Sequence, residues 1–241
     1  MHFMARRHFL MAAGATAAAL AASKTGFAQM AKIAPTATDV LIVVDIQNCF
    51  TAGGSLAVPK AEEIIPLVNR IAKGFQNVVL TQDWHTPGHV SFASSHANKK
   101  PFDMIDLAYG KQVLWPDHCV QGTPGADIHK DINIPHAQLV IRKGYRKGVD
   151  SYSAFYEADK KTSTGLGGYL KQRGINRAFC VGLATDFCVA WTAMDARREG
   201  LASYVIEDAA RGIDAQGSLA AAWKAMAARG VKKIQSADLA V

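Results

Sequence analysis

Short apolar runs alternate with amphipathic stretches along most of the chain. Six runs rich in β-branched and other apolar residues have the length of β-strands, at 39–45, 77–83, 137–143, 177–183, 202–208 and 231–235. Amphipathic stretches of helical length separate most of them, at 60–73, 164–173, 186–198 and 216–228. Because near-continuous apolar strands that alternate with helices are typical of a parallel sheet covered on both faces, the pattern predicts an α/β fold.

One long segment departs from this alternation. Residues 84–135 are rich in His, Pro, Gly and Asp, and we interpret them as a long loop. Loops of that size inside compact domains usually carry function. No internal repeat or low-complexity linker follows residue 35, so residues 29–241 are predicted to form a single domain.

The first 28 residues have the character of an export signal. The pair Arg6 and Arg7 precedes a moderately apolar, alanine-rich run, and small residues follow at Gly26 and Ala28. The arginine pair resembles a twin-arginine signal, which exports proteins already folded, so we expect a mature chain that begins near Gln29 and works in the periplasm without stable membrane association. A general secretory signal or an uncleaved anchor remains the alternative.

The overall charge does not indicate a nucleic-acid partner. The formal charge is +7, but three basic residues and no acids lie in the predicted signal, which leaves 24 basic against 20 acidic side chains in the remainder. No stripe of Lys and Arg with interleaved aromatic residues is present. With 49% hydrophobic and 20% charged residues, the composition is that of a globular protein.

Ionisable side chains follow several of the predicted strands. Ligand sites in open α/β sheets lie beyond the carboxyl ends of the strands. Applied to this chain, that rule selects Asp45, Asp83, Lys143 and the turn after the fourth strand, which contains Cys188.

Cys188 is predicted to lie in the first turn of a helix that starts near residue 186. Unpaired backbone N–H groups and the positive end of the helix dipole stabilise a thiolate there, and a neighbouring lysine would lower the thiol pKa further. The alternative is that Cys188 packs as a small apolar residue, as we expect of Cys180 in its apolar strand.

The four cysteines do not suggest a disulfide framework. An exported chain with four cysteines has material for two disulfides. However, one cysteine lies inside an apolar run, the others lie beside polar or titratable residues, and no pair has the C-x-x-C spacing of a zinc ribbon or redox motif; the four are Cys49, Cys119, Cys180 and Cys188.

Five blocks of sequence together resemble one enzyme family. They are, in chain order, VVDIQNCFTAGGSLAV, TQDWHTPGHVSFASSH, LWPDHCVQGTPGA, IRKGYRKGVDSYSAF and VGLATDFCV. The chain, from residue 39 to about 234, closely resembles the nicotinamidases, also called pyrazinamidases, of the isochorismatase-like hydrolase superfamily. The resemblance implies a three-layer α/β/α fold with a Rossmann-like, six-stranded, mainly parallel sheet, and the hydrolysis of nicotinamide to nicotinate and ammonia, with pyrazinamide as a further substrate.

The resemblance also implies the catalytic groups. It makes Asp45, Lys143 and Cys188 the catalytic triad, in which Asp45 takes the thiol proton and the thiolate attacks the amide carbonyl. The oxyanion formed would be held by the backbone N–H groups of Ala184 and Cys188, oriented by a cis peptide bond between Leu183 and Ala184.

A divalent metal ion is the implied cofactor. By resemblance Asp83, His85 and His118 bind one Zn, Fe or Mn ion that holds the pyridine nitrogen of the substrate or its waters. Some relatives recruit an extra histidine from the loop that contains His89 and His96, for which we favour a supporting or surface role.

Aromatic side chains are expected to surround the substrate ring, since Phe50, Trp115 and Tyr152 occupy positions that line the pocket in similar enzymes. Relatives often carry an acid at the position of Cys49. Both Cys49 and Cys119 are therefore expected near the site, and the sequence leaves open whether they are oxidised or bridged.

Two alternatives stay open from sequence. Another small-amide, carbamoyl or ureido hydrolase of the superfamily would share the Asp, Lys and Cys but usually lacks the Asp-x-His and His set. A periplasmic binding module without catalytic activity is a different class, and the presence of every triad and metal residue argues against it. A homo-oligomer is compatible with the sequence.

Overall fold

The computed structural model describes residues 31–241. The predicted signal, residues 1–28, and the predicted mature start at Gln29 lie outside the described residues. Within residues 31–241, none of the helices has both the length and the apolar character needed to cross a bilayer.

A single six-stranded parallel sheet organises the chain. Its strands are β1 (Asp39–Val44), β2 (Asn77–Asp83), β5 (Leu139–Lys143), β6 (Arg177–Leu183), β7 (Ala202–Arg211) and β8 (Lys232–Ile234). They lie in the order β5-β2-β1-β6-β7-β8, and every neighbouring pair is parallel. This is the doubly wound order of Rossmann-like sheets, which confirms the predicted fold class.

Helices cover both faces of the sheet. They are α1 (Ile65–Ala72), α2 (Leu166–Gln172), α3 (Ala190–Arg198) and α4 (Ser218–Ala228). Alternate residues of β1 enter two separate apolar clusters: Leu41 and Val43 pack with α1 on one face, and Val40, Ile42 and Val44 pack with the other helices on the opposite face. Since side chains alternate across a strand, β1 is the buried centre of three layers.

The long segment after β2 is more ordered than the sequence predicts. It contains an antiparallel hairpin of β3 (Met104–Leu107) and β4 (Gly110–Val113), separate from the main sheet. Exposed and partly buried residues alternate in β3, the one buried residue of β4 is the polar Gln112, and few side chains are β-branched, so the hydrophobic pattern is weak. The predicted helix at 186–198 is also divided, because a π-helical turn over Thr185–Val189 precedes α3.

The strand order places the candidate site between β1 and β6. Chain connections leave these neighbours in opposite directions, which opens a crevice beyond their carboxyl ends. Asp45 directly follows β1, Asp83 and Lys143 end β2 and β5, and the turn after β6 contains Cys188. The four predicted side chains therefore meet at one edge of the sheet.

Gly182 permits the close approach of β6 to β1 at this edge. Its φ is +111°, and a Cβ atom there would lie 2.1 Å from the carbonyl oxygen of Val44. Both the backbone conformation and the contact therefore exclude a side chain.

We expect Gly182→Ala to lower the free energy of unfolding by at least about 2 kcal/mol, because the strand must shift away from β1. Gly168→Ala is the matched control: Gly168 lies in α2 with open space around it, so alanine there should stabilise by about 0.5–1 kcal/mol. Urea unfolding followed by circular dichroism measures both. Equal midpoints for Gly182→Ala and the unmodified chain would contradict this account of the crossing.

Candidate active site

Lys143 is the fully buried centre of the site. Its Nζ lies 2.8 Å from Oδ2 of Asp45 and 2.5 Å from Oδ1 of Asp83, and it also donates to the backbone carbonyl of Ser151 at 3.1 Å. Burial opposes the charged form, but the two carboxylates outweigh it and raise the pKa of Lys143 well above its usual value. The lysine is therefore a fixed cation.

Asp45 is positioned by β2 as well as by the lysine. The hydroxyl of Thr81 donates to Oδ1 of Asp45 at 2.5 Å, and the backbone N–H of Asp45 donates back to that hydroxyl at 3.1 Å. Burial raises the pKa of the Asp45 carboxyl in spite of Lys143. Sequence reasoning missed Thr81, because a threonine inside an apolar strand carries no motif.

Cys188 faces the same ionic cluster. Its Sγ lies 3.4 Å from Nζ of Lys143, and within 4.8 Å of carboxylate oxygens of Asp45 and Asp83. Burial raises the pKa of the Cys188 thiol well above its usual value, with the two carboxylates adding to the effect and Lys143 opposing it. Cys188 lies in the first turn of the helical segment, as expected, but burial works against the thiolate, so its proton needs an acceptor.

The chain leaves β6 through a cis peptide bond between Leu183 and Ala184, as the resemblance implies. Ala184 lines the cavity beside Cys188. In the described part of the chain, the backbone N–H of Ala184 is not hydrogen-bonded to another backbone group. The arrangement leaves a main-chain donor next to the thiol.

Two imidazoles converge on Asp83. Nε2 of His85 lies 3.6 Å and Nε2 of His118 lies 3.7 Å from Oδ2 of Asp83. Nδ1 of His85 is 2.9 Å from the carbonyl of Gly144, and Nδ1 of His118 is 2.8 Å from that of Pro116. Because a carbonyl only accepts, each Nδ1 carries a hydrogen, and each Nε2 faces the carboxylate of Asp83.

This donor set fits a divalent ion. Two imidazoles and a carboxylate, with the far nitrogen of each ring hydrogen-bonded to a carbonyl, are typical of metal sites with open coordination positions. The three ligand atoms lie within 4.8 Å of one another and are buried. The predicted residues are thus brought together.

His89 and His96 are engaged elsewhere. Nε2 of His89 lies 3.0 Å from the carbonyl of Arg146, and its Nδ1 lies 2.8 Å from the hydroxyl of Ser91. Burial and the neighbouring His85 lower the pKa of His89 to about 4, so this imidazole is neutral. Its ring packs against that of His85 at 4.4 Å, while His96 contacts the carbonyl of Val90 at 2.8 Å. His89 thus packs against the ring of His85 and helps to hold it in place.

A narrow cavity lies between the thiol of Cys188 and the ring of His118, and both residues line it. All three predicted aromatic residues line it, and sequence reasoning missed four further lining residues; the seven are Phe50, Trp115, Tyr152, Leu56, Asp150, Phe187 and Ile213. Nε1 of Trp115 donates to the hydroxyl of Tyr152 at 3.0 Å, which fixes both rings.

Asp150 places a further buried carboxylate at the cavity wall. It accepts hydrogen bonds from Nε2 of Gln112 at 2.7 Å and from the backbone N–H of Ser151 at 2.8 Å. Its position after Lys143, in the block that also contains Tyr152, was the available signal. Gln112 belongs to β4, so the hairpin that was predicted as loop supports the site.

Cys49 and Cys119 form a disulfide, which answers the question that the sequence left open. Cys180 and Cys188 are free and buried. The placement of the cysteines argued against disulfides, and for Cys49 and Cys119 that argument is wrong, because the fold brings them together beside the site.

The doubly wound sheet and the buried Asp, Lys and Cys at its edge define an α/β hydrolase with a thiol in its active site. The isochorismatase domain model matches residues 39–238. The chain therefore belongs to the isochorismatase-like hydrolases, and its similarity to the relatives below places it among the nicotinamidases of that family.

Three relatives represent this similarity. A nicotinamidase of Acinetobacter baylyi is 59% identical, with 83% of this chain and 94% of that protein aligned. The structure of a nicotinamidase and pyrazinamidase of Acinetobacter baumannii superposes with a TM-score of 0.84 at 59% identity, covering 84% of this chain and 98% of the other. A pyrazinamidase of Pyrococcus horikoshii, solved in complex with zinc, has a TM-score of 0.67 at 33% identity, covering 82% and 99%.

We expect His118→Ala to weaken zinc binding by more than about 100-fold, because partners outside the coordination sphere are already worth 10–100-fold. His96→Ala is the matched control, since His96 lies on the same long segment but contacts only a carbonyl. Competition of the purified chain with a chelating dye measures both dissociation constants. Equal weakening by the two variants would mean that His118 has no special place among the ligands.

Proposed function

We propose that this chain hydrolyses nicotinamide to nicotinate and ammonia through a thioester on Cys188, and that it also accepts pyrazinamide. The observation that supports the proposal most strongly is that a catalytic cluster and a possible metal-binding cluster meet in one cavity. The Asp45, Lys143 and Cys188 cluster supplies a nucleophile and a base, and Asp83, which contacts Lys143, belongs to the histidine cluster as well. The names of the two Acinetobacter relatives support the same substrate.

The first step is proton transfer from Cys188 to Asp45. Burial raises the pKa of the Asp45 carboxyl, which makes the carboxylate a stronger base toward the thiol proton, while the raised pKa of Cys188 makes that proton harder to remove without a base. Nζ of Lys143 contacts the sulfur and the carboxylate and stays within reach of the negative charge during the transfer. The thiolate then attacks the amide carbonyl carbon, forming a C–S bond.

The backbone N–H groups of Ala184 and Cys188 are proposed to hold the oxyanion that forms. Main-chain donors of this kind contribute roughly 2.7–4 kcal/mol each when they are in place before the reaction. Ala184 lies at the end of β6 and Cys188 in the π-helical turn, so both donors are attached to the central sheet.

Collapse of the tetrahedral intermediate breaks the C–N bond. Asp45 returns its proton to the leaving nitrogen, which departs as ammonia, and the carboxylate then takes a proton from water. The water oxygen attacks the thioester, the C–S bond breaks, and the sulfur recovers its proton from Asp45. The acid formed gives its proton to the released ammonia or to solvent and leaves as nicotinate, and the three residues return to their starting state.

Asp83, His85 and His118 are proposed to bind one Zn, Fe or Mn ion. Such an ion, when bound, offers a Lewis acid to the pyridine nitrogen or to waters beside it. The zinc complex of the Pyrococcus relative supports this assignment. The rings of Phe50, Trp115 and Tyr152 would contact the faces and edges of the substrate, which fixes the amide near Cys188.

We also propose that residues 1–28 direct export by the twin-arginine route and that the enzyme acts in the periplasm. The proposal rests on Arg6, Arg7 and the alanine-rich run that follows. A disulfide in the folded domain is compatible with an oxidising compartment. There the enzyme would convert external nicotinamide to nicotinate.

The substrate test compares nicotinamide with benzamide, which keeps the shape but lacks the ring nitrogen. We expect kcat/KM for nicotinamide to be higher by about 10³-fold or more, because a site with an oriented polar partner rejects a ligand that cannot engage it. Chelation should abolish the activity on nicotinamide, and added zinc or manganese should restore it. Comparable rates on both amides, or faster turnover of a carbamoyl compound, would contradict the assigned substrate.

Replacing the nucleophile should remove turnover without unfolding the protein. Cys188→Ala is expected to lower kcat by about 10⁴-fold or more, the size seen when a nucleophile is deleted. Cys180→Ala, the control in the other free cysteine, should keep most of the activity and lower the free energy of unfolding by about 1–2 kcal/mol, because Cys180 is fully buried in the core. The reverse pattern would remove Cys188 from the mechanism.

Export is tested by changing the arginine pair. Arg6→Lys together with Arg7→Lys should hold the precursor in the cytoplasm, because the twin-arginine route depends on the pair. Fractionation of cells and an assay of each fraction report the distribution. Unchanged periplasmic activity in the double variant would point to the general secretory route.

A further inference from the structure

The disulfide joins the two loops that complete the active site. Cys49 and Cys119 are 70 residues apart in sequence, and their Cα atoms lie 5.6 Å apart. Both cysteines are buried, at about 1% exposure each. Each lies directly beside a residue of the site, since Phe50 follows Cys49 and His118 precedes Cys119.

At one end of the disulfide, Cys49 is adjacent to residues that line the cavity. Cys49 belongs to a 3₁₀ turn, Asn48–Phe50, that follows β1, and its carbonyl accepts a hydrogen bond from the backbone N–H of Leu56 at 3.0 Å. Leu56 and Phe50 both line the cavity. The ring of Phe50 also packs against that of His118, with centroids 5.5 Å apart. The wall and the histidine therefore depend on the spacing between these loops.

At its other end, the disulfide is connected to both histidines through Cys119. The carbonyl of Cys119 accepts a hydrogen bond from the backbone N–H of His85 at 3.0 Å, and its own backbone N–H belongs to the peptide bond with His118. Cys119 has a φ of +44°, in the left-handed region that non-glycine residues rarely adopt. Such a conformation persists where neighbouring structure enforces it. The position of Cys119 therefore bears on both rings.

We propose that the Cys49–Cys119 disulfide is a positioning element of the active site, which sets metal affinity through His118 and His85 and substrate affinity through Phe50. The predicted effect on substrate affinity rests on the function proposed above, whereas the predicted effect on metal affinity does not. The bond is not needed for the chemistry of Cys188, so its loss should change binding more than the rate of the chemical step.

Both cysteines of the bond are almost fully buried, so reducing it calls for a small reagent. Cys49 lines an open surface groove together with Thr51, Gly53, Pro124 and Gly125. A water-soluble phosphine can reduce the disulfide, giving two protein thiols while phosphorus is oxidised to the phosphine oxide with an oxygen atom from water. Unlike a dithiol, a phosphine does not compete strongly for zinc, and it is removed by desalting before measurement.

The test compares the holoenzyme with Cys49→Ala/Cys119→Ala, which removes the bond without leaving new thiols. We expect the zinc dissociation constant to rise at least about 10-fold, and KM for nicotinamide to rise by a similar factor while kcat changes less than about threefold. Cys180→Ala is the matched control, since it removes a buried cysteine that forms no bond and should leave both constants unchanged.

Reduced unmodified protein is the second arm, for the case in which the double variant fails to fold. Alkylation and mass spectrometry should find two reactive cysteines after denaturation of the native protein and four after phosphine treatment. Zinc affinity should fall on reduction and recover on reoxidation with oxidised glutathione.

Three results would overturn the proposal. Four free thiols in protein purified under oxidising conditions would mean that the bond does not form. Unchanged zinc affinity and KM in the reduced, folded protein would leave the bond only a role in stability. A fall in kcat alone would place the effect in the chemistry instead. If nicotinamide is not a substrate at all, the zinc measurement still decides the predicted effect on metal affinity.

Discussion

The buried ammonium of Lys143 is the interaction on which the site depends. A lysine with no exposed surface is stable only when carboxylates and a carbonyl surround it, and here Asp45, Asp83 and the carbonyl of Ser151 do so. These partners come from the ends of β1 and β2 and from the segment after β5. The cost of burying the charge is offset only while those elements keep their relative positions. The ion cluster therefore links the geometry of the sheet to the geometry of the chemistry.

Asp83 makes this linkage extend to the histidines. One of its oxygens contacts Lys143, and the other faces the Nε2 atoms of His85 and His118. A displacement of this carboxylate would alter both the ion cluster and the histidine cluster. The distance between the amide end and the ring end of the cavity is therefore set by one side chain on a central strand, which suits a small rigid substrate.

Much of the site is predictable from sequence because it follows from strand ends. The rule that ligands bind beyond the carboxyl ends of parallel strands is enough to select Asp45, Asp83 and Lys143. The roles of Phe50 and His118 come from family resemblance instead, since no periodicity marks them. Thr81 was missed because its hydroxyl matters only through the neighbouring strand, a long-range contact that leaves no local pattern.

Other features depend on contacts between distant segments. The hairpin of β3 and β4 was not predicted because its strands are short and half exposed, and the cysteine pairing is set by loops that meet only in the fold. The raised pKa of Cys188 was also beyond the sequence, because the effect of burial exceeds that of the neighbouring Lys143. In each case the sequence supplied the residue and the tertiary structure supplied its environment.

The carbonyls that hold the two imidazoles bear on how the family can vary. His85 and His118 each donate an Nδ1 hydrogen to a main-chain oxygen, of Gly144 and Pro116. Every amino acid has that oxygen, so no substitution at those two positions deletes the acceptor itself. The path of the backbone therefore determines that Nδ1 of each ring carries a hydrogen. Mutational drift around the cavity can reshape its walls and change which amides enter, while the hydrogen bonds that orient these two rings are inherited with the fold.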